Sequence, residues 1–505
     1  AFPNDRAQID AYKQTLRWLV GAGLSQWAKQ PGVLEAFGST AAEKLKAAAK
    51  ALEDYTKMGH DEELKHFLED TRCPLAVAFH DLFSLDISSF NGDLAEFARI
   101  AGAKMREASK ILEADRLWAA CLCHERIYKS LQDMCIENSA GHTNRFLGVE
   151  LTSCEQLKTC IDQVASHPLL ELDWTCVGAT VDQLDQNSLE QIGAKALKLD
   201  LDSDEVALPA DTKRFDYFLM DKVLSRKSDP AKLLENVKKL MRDDSMGIII
   251  EVVADYELAA AVGAISNNFS FNEPENNADK TRKYGAFFTH DQLLALFEKC
   301  QLRLIGVQRD PVLMTAAYCV RKIPEQKRDP VFVDVDDVNE FNWVEPLQKI
   351  IEERLNEPEH KTIWLTSTKV RNNGVLGMAL CFVEENLKAN RFRTFIDIST
   401  KKAFREGPAR ISVDAPEFKD VLEADMHANN YRDGEWGSMR HIVVKDDEQH
   451  EHKEVEHAFI NTLVRGDVSS LTWFESPNQF FEAARAAELE RQGTSPSNVA
   501  RLELC

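Results

Sequence analysis

The sequence has no hydrophobic run that approaches a transmembrane helix, which needs about 18 consecutive apolar residues. It also has no block of basic residues: 61 lysines and arginines stand against 83 acidic residues, a formal net charge of -22. Nucleic-acid binding needs a basic face that neutralises phosphates. These absences predict a chain with no membrane span and no nucleic-acid partner, and its surplus acid is read as a solvated surface.

The 11 cysteines lack the paired spacing of a zinc site. Cys121 and Cys123 lie two residues apart in a helix-like segment, so their side chains point to different faces. His450, His452 and His457 lie in a polar run where nothing in the sequence fixes their orientation as ligands. We therefore predict reduced, mostly buried thiols, no metal site and a cytoplasmic protein.

The chain has 505 residues, 44% of them hydrophobic and 29% charged, which is an ordinary globular composition and predicts two to four domains. It begins at Ala1 without a signal-peptide pattern and ends at Cys505 in the strand-like run RLELC. We expect both ends to be cut points within a longer polypeptide.

Residues 1–140 are predicted to be helical, because apolar residues recur there at three- and four-residue spacing. Over residues 141–325, short apolar runs alternate with helical segments, which predicts an α/β fold with a doubly wound parallel sheet. Its last two runs, LRLIGVQ and VLMTAAYCV, are separated by a short turn and predict an antiparallel hairpin at one sheet edge.

A second α/β unit is predicted over residues 326–476, after a Pro- and charge-rich connector, IPEQKRDPVFVDVDD. Its predicted helices are VEPLQKIIEERL and VLGMALCFVEENLK, and its predicted strands are TIWLTST, RFRTFIDIS, MRHIVV and LTWFES. Residues 477–505 are predicted to be a linker.

The first predicted strand leads into a loop with the layout of a cofactor site. In a class I methyltransferase this strand ends in an acid, followed by a glycine turn that lets the backbone approach S-adenosylmethionine. Glu150 stands at the acid position, but Thr152, Cys154 and Gln156 stand at the three glycine positions. Glu155 adds negative charge where the methionine carboxylate would lie. We predict a methyltransferase scaffold without its cofactor site.

Other polar side chains follow the predicted strands of this unit. Asp221 and Lys222 come after the fourth strand, where a methyltransferase contacts adenine or substrate. His290 opens a helix that Thr289 is predicted to cap. We interpret these as loop and capping residues, and Trp436 in the second unit as a packing anchor at a domain contact.

The second unit has the layout of an NADPH-binding turn. Gly374 and Gly377 are spaced to close the turn and to pack its helix on the strand, but Arg371 and Asn372 stand at the earlier glycine positions. An arginine can contact a phosphate, so this loss is less decisive than the first.

Short-chain reductases also need a tyrosine followed four residues later by a lysine, which lowers the tyrosine pKa. After the connector Tyr431 is the sole tyrosine, and Glu435 stands at the lysine position. Tyr318 and Lys322 have the right spacing, but they lie in the first unit, so we attribute their spacing to chance. The second unit is also short for a full reductase.

Several segments of the second unit resemble the central region of animal type I fatty acid synthase, in which a pseudo-methyltransferase is followed by a pseudo-ketoreductase and then an enoyl reductase. They are FVDVDDVNEFNWVEPLQKII, NNGVLGMALC, NNYRDGEWGSMRH and HAFINTLVRGDVSSLTWFES. On this resemblance Arg465-Gly466-Asp467 is a structural turn, and RLELC is the start of the enoyl reductase.

The resemblance implies a class I methyltransferase-like sheet behind a helical N-terminal region, then a truncated Rossmann-like, short-chain reductase-like unit. It implies a non-catalytic segment, so enzyme activity belongs to the parent, an acyltransferase that makes long-chain fatty acids from acetyl-CoA, malonyl-CoA and NADPH. The parent would use NADPH and phosphopantetheine, whereas this segment would bind no cofactor. Its implied partners are the ketoreductase, enoyl reductase and dehydratase domains of a homodimeric parent.

Two alternatives stay open. A working S-adenosylmethionine-dependent C-methyltransferase from a reducing polyketide synthase fits the strand order, but the missing glycines disfavour it. A module that docks a carrier protein fits the N-terminal helices, but carrier domains are usually acidic, and like charges repel.

Overall fold

The computed structural model describes residues 6–57, 59–112, 114–122, 143–151, 158, 161, 171–179, 181, 184–265, 287–310, 312–324, 327–336, 341–354, 357, 360–368, 374–384, 391–399, 418–438 and 458–475. The chain divides into two compact units, Ala1–Arg440 and His441–Cys505. The first unit holds a helical region and two sheets, and the second holds a hairpin. Among the described residues, no helix is long and apolar enough to cross a membrane.

Helices form the N-terminal region, as the periodicity predicts. They are α1 (Arg6–Lys29), α2 (Ser39–Ala51), α3 (Asp61–Glu69), α4 (Pro74–Phe83), α5 (Leu94–Ile111) and α6 (Arg116–Cys121). Asp93 and Asp115 cap α5 and α6, and Pro74 opens α4, where its missing N–H costs no helical hydrogen bond.

The first sheet has seven strands in the order β3-β2-β1-β4-β5-β7-β6. Its strands are β1 (Thr143–Val149), β2 (Glu171–Gly178), β3 (Ala194–Lys198), β4 (Phe215–Asp221), β5 (Met241–Val252), β6 (Leu302–Arg309) and β7 (Thr315–Lys322). The first five are mutually parallel and β7 is antiparallel to β5 and β6, which confirms the predicted edge hairpin and the class I methyltransferase-like fold.

Described helices of the first sheet are α7 (Gln186–Gln191), α8 (Pro230–Leu240), α9 (Glu257–Ile265) and α10 (His290–Lys299). Helix α9 follows β5 and is buried on all sides apart from its first residue, because it joins the core of the N-terminal helices. The same core includes Val252 at the end of β5 and Met314 just before β7. The helical region therefore packs against the carboxyl end of β5.

The second sheet has five strands in the order β12-β11-β10-β9-β8. They are β8 (Asp329–Asp334), β9 (Lys361–Ser367), β10 (Phe392–Asp397), β11 (Ala428–Arg432) and β12 (Glu435–Gly437), with helices α11 (Val344–Arg354), α12 (Gly374–Glu384) and α13 (Lys419–Ala424). Strands β8 to β11 are parallel, which confirms a further Rossmann-like α/β unit. Strand β12 is antiparallel.

The prediction of a connector over IPEQKRDPVFVDVDD was wrong for its second half, because Asp329–Asp334 form strand β8. Pro330 belongs to this edge strand, where an absent N–H is tolerated, and Val333 faces the core. Pro330 and the acids in the following VFVDVDD interrupt the alternation of apolar and polar residues that marks a strand. Strands β11 and β12, joined by Asp433-Gly434 at positive φ, were also not predicted.

The second compact unit, His441–Cys505, contains the antiparallel hairpin β13 (Ala458–Thr462) and β14 (Leu471–Glu475). The predicted LTWFES strand is confirmed as β14. Arg465-Gly466-Asp467 lies in the connection between the two strands, where Gly466 has a φ of 88° and the Asp467 N–H donates to the Val464 carbonyl at 3.0 Å. It is a structural turn, as predicted.

Some predictions fall on residues that the structure does not describe. These are the strand MRHIVV, the three histidines His450, His452 and His457, the linker 477–505, and most of the helix EQLKTCIDQVAS. Six described cysteines are free thiols, five of them buried and Cys381 exposed. The domain boundaries remain predictions, although the chain between β7 and β8 does separate the two sheets.

Candidate functional site

The candidate site lies where the parallel strands of the first sheet end. Open α/β sheets bind ligands outside the carboxyl ends of their strands, at the point where the strand order reverses. Here that edge is bordered by Glu150 after β1, Gly178 at the end of β2 and Asp221 at the end of β4. Glu150 is thus placed at the strand end, as its sequence position predicts.

The backbone turns sharply at Glu150, which has a φ of 50°. Its N–H donates to the Val177 carbonyl of β2 at 2.8 Å, so the turn is fixed to the neighbouring strand. Its carboxylate lies 3.0 Å from the ammonium of Lys227. A left-handed conformation is uncommon for a residue with a side chain. Thr152, Cys154 and Gln156 lie outside the described residues, so the predicted loss of the glycine turn remains a prediction.

Two cations extend across these strand ends from the turn that follows β4. Lys227 Nζ lies 2.8 Å from an Asp202 carboxylate oxygen as well as 3.0 Å from Glu150, so it bridges the loops after β1 and β3. Arg226 donates from Nε to the Lys222 carbonyl at 2.7 Å and from Nη2 to the Glu150 carbonyl at 3.3 Å. The protein's own cations therefore tie together the loops that would surround a cofactor.

Glu251 fixes the turn that follows β4 through hydrogen bonds. It is fully buried near the end of β5, and its carboxylate accepts hydrogen bonds from the Leu224 N–H at 2.7 Å and from the Ser225 hydroxyl. Burial raises the pKa of Glu251 to about 7, although both hydrogen bonds and Arg226 oppose the rise. Sequence reasoning missed Glu251, and its signal was an acid inside the apolar run MGIIIEVV.

Asp221 and Lys222 lie at the same edge and contact each other. Lys222 Nζ is 2.8 Å from the buried Asp221 carboxylate, and Lys222 has a φ of 55° with its N–H donating to the Ile250 carbonyl at 2.7 Å. These contacts fix the course of the chain after β4. Lys222 is therefore a loop residue, as interpreted, whereas Asp221 is the last residue of β4 and not a residue after it.

Thr289 caps α10 through a capping box with Gln292, so the predicted cap is confirmed. The His290 N–H donates to Asp255 at 2.6 Å, and His290 Nδ1 lies 3.1 Å from the Tyr318 hydroxyl. Burial is the main cause that lowers the pKa of His290 and raises that of Tyr318. His290 and Tyr318 lie at the start of α10 and on β7. They are not among the residues that border the carboxyl ends of β1 and β4.

Tyr318 and Lys322 do not act as a reductase pair. Tyr318 points to His290, whereas Lys322 Nζ lies 2.8 Å from Asp243. The two side chains have different partners, which fits the interpretation of their spacing as chance.

The NADPH-type loop is described only from Gly374 onward, so Arg371 and Asn372 lie outside the described residues. Gly374 opens α12 and Gly377 follows one turn later, and both are exposed. A Cβ built on either glycine meets no heavy atom within 4 Å among the described residues. The close helix-to-strand approach that their spacing predicts therefore has no counterpart among the described residues and remains a prediction.

Tyr431 belongs to an aromatic cluster on one face of the second sheet. Its ring lies 5.2 Å from that of Trp436, which also contacts Phe395 at 5.6 Å and Phe418 at 5.5 Å. Trp436 therefore packs within this cluster, and the domain contact predicted for it remains a prediction. Tyr431 is 9% exposed and serves the core, which leaves no reductase tyrosine in the described part of this unit.

A cavity of approximately 600 Å³ is lined by residues of the loop after β3 and by Lys239 of α8. Its lining includes Asp200, Asp204 and Glu205 against the single cation Lys239. An acidic wall disfavours the phosphates of NADPH. Among the described residues, no group of three or more histidine, cysteine, aspartate or glutamate side chains could hold a metal ion.

Comparison with solved structures finds several methyltransferases at low sequence identity. The CurJ carbon methyltransferase is 12% identical over 63% of this chain and 92% of that chain, with a TM-score of 0.37. The CMeT domain of the citrinin polyketide synthase is 10% identical over 62% and 90%, with a TM-score of 0.38. The trans-methyltransferase CalH, in complex with SAH, is 12% identical over 63% and 90%, with a TM-score of 0.40.

Comparison with protein families matches residues 340–444 to the fatty acid synthase pseudo-KR domain. The matched residues run from just before α11 past the end of β12, so they cover most of the second sheet and its helices. The predicted resemblance is confirmed by this match: residues 340–444 correspond to the pseudo-KR domain of a fatty acid synthase.

Proposed function

We propose that this chain is a non-catalytic structural segment of a multifunctional fatty acid synthase. In this proposal the second sheet and the hairpin brace the true ketoreductase and neighbouring domains, and the methyltransferase-like half binds no S-adenosylmethionine. The observation that carries the second point is the Lys227 bridge, which ties Glu150 to Asp202 across the strand ends. A cofactor would have to displace this bridge and the Arg226 contacts.

The bracing role is supported by the apolar surface of the hairpin. Seven large hydrophobic side chains are exposed within residues 458–475: Phe459, Ile460, Leu463, Val464, Val468, Leu471 and Trp473. Ile460 and Trp473 face each other across the strands, and each is 58% exposed. A two-stranded hairpin is marginally stable alone, and concentrated exposed apolar surface marks an interaction site.

The test substitutes Ile460→Ser and Trp473→Ser together in the full synthase. We expect ketoreductase activity to fall at least tenfold while the condensing activity is unchanged, because the apolar contact with the ketoreductase is lost. Val77→Ser on α4, where Val77 is 37% exposed, is the control and should leave both activities intact. Unchanged ketoreductase activity in the double variant, and in a deletion of residues 330–476, would show that the segment does not brace that domain.

A further inference from the structure

The two sheets of the first unit meet at residues 423–426, which are the last two residues of α13 and the two that follow it. We call this segment the docking turn. The turn is fixed by Asp425, which has a φ of 50° and donates its N–H to the Val421 carbonyl at 3.0 Å. Asn429 closes it from the other side, donating to the Met426 carbonyl at 2.7 Å. The turn is therefore a built feature of the second half of the chain.

Met426 carries apolar contact from this turn into the first sheet. It is 6% exposed and belongs to the same buried cluster as Tyr217, Met246 and Cys319 of the first sheet. Ala424 packs against that cluster as well. A residue from the second half of the chain thus completes a core that the first half would otherwise leave open.

Asp425 joins the sheets electrostatically. Its carboxylate is 2.8 and 3.0 Å from the guanidinium of Arg393 on β10 and 2.9 Å from that of Arg328, in the segment between the sheets. It is also 3.7 Å from Arg321 on β7 of the first sheet. Arg321, Arg393 and Asp425 are each nearly fully buried.

One buried carboxylate thus pairs with three guanidiniums, which come from the first sheet, the second sheet and the segment between them. Burial opposes the charge of Asp425, but Arg393, Arg321 and Arg328 together hold its pKa well below the usual range. Removing Asp425 would leave three guanidiniums, two of them almost fully buried, without their shared carboxylate, which is far more costly than losing an exposed ion pair. Removing Arg321 would take away the one ionic contact that the first sheet makes with this carboxylate. The charge balance of each sheet at this point depends on residues of the other.

We infer that the methyltransferase-like half has a function of its own: through Arg321 and the pocket for Met426, it stabilises and positions the second sheet. A change confined to the first sheet should then loosen the second sheet, and the reverse should hold, because an energetic coupling between two sites is reciprocal. This inference does not depend on the bracing of the ketoreductase, and its test uses this chain alone.

The test is hydrogen exchange of the 505-residue chain carrying Arg321→Met, which keeps the side chain's bulk and removes its charge. We expect amides of β9 and β10 in the second sheet to lose at least tenfold of their protection, although the substitution lies on β7. The control is Asp216→Asn. Asp216 is a mostly buried carboxylate that pairs with Arg145 at 3.4 Å and Arg242 at 3.3 Å within the first sheet.

Asp216→Asn should loosen β1 and β4 and leave β9 and β10 unchanged. Met426→Ala provides the reciprocal variant, and it should lower the protection of β5 and β7. The inference is overturned if Arg321→Met leaves β9 and β10 as protected as in the wild type, or if Asp216→Asn affects them equally. If Arg321→Met does not fold, unchanged protection of β5 and β7 in Met426→Ala overturns it.

Discussion

Replacing Asp115 with alanine is expected to destabilise the helical region by about 4 kcal/mol, because three buried donors lose their acceptor. The carboxylate accepts from the Tyr12 hydroxyl at 2.6 Å, the Leu75 N–H at 2.9 Å and the Trp118 N–H at 2.6 Å, and so joins α1, α4 and α6. Asp115 is 0% exposed, so water cannot replace it. Chemical denaturation followed by circular dichroism measures the loss.

Asp93→Ala is the matched control, since Asp93 also caps a helix. Its carboxylate accepts from the N–H groups of Ala95 and Glu96 at 3.0 and 3.1 Å, but it is exposed. We expect a loss of about 1 kcal/mol there. Equal losses for the two variants would mean that Asp115 is an ordinary cap and does not organise the helical region.

The stability of the first sheet is expected to fall as the pH rises from about 4.5 to about 7, and Glu251→Gln should remove this dependence. Burial raises the pKa of Glu251 to about 7 from its ordinary value of 4.5. Between these values the folded chain keeps a proton that the unfolded chain releases, so folding loses about 3 kcal/mol by pH 8. Urea unfolding midpoints at pH 5, 6, 7 and 8 measure the effect.

Glu257→Gln is the control for this prediction. Glu257 lies a few residues later, at the start of α9, and its carboxylate is partly exposed and pairs with Arg17 at 3.1 Å. The difference between wild type and Glu251→Gln should grow with pH and should exceed the difference for Glu257→Gln, because Glu251 is fully buried and Glu257 is partly exposed. A difference for Glu251→Gln that stays constant from pH 5 to 8 would contradict the assignment of this titration to Glu251.

Local patterns in the sequence were sufficient for much of the fold. The antiparallel edge formed by β6 and β7 follows from two apolar runs with a short turn between them, and the α10 cap follows from Thr289 before a helical period. In both cases the residues that determine the structure are close in sequence. The position of Glu150 at the end of β1 is predictable for the same reason.

Contacts between distant segments could not be predicted. In the sequence, Arg226 and Lys227 are ordinary polar residues of SRKSDP. The strand order brings them to Glu150, which lies 76 residues before Arg226 in the chain. Asp425 likewise stands in an unremarkable EAD segment, yet it meets Arg321, Arg328 and Arg393 because two sheets converge there. Burial of these charges is a property of tertiary packing, which has no local signature.

The most direct test of the central claim is calorimetric titration of this chain with S-adenosylmethionine up to about a millimolar, alongside its melting temperature. We predict no binding heat and no thermal shift, because Lys227 and Arg226 already tie the strand-end loops together. Saturable binding in the micromolar range, worth about 8 kcal/mol, would contradict the non-catalytic scaffold and favour a working C-methyltransferase.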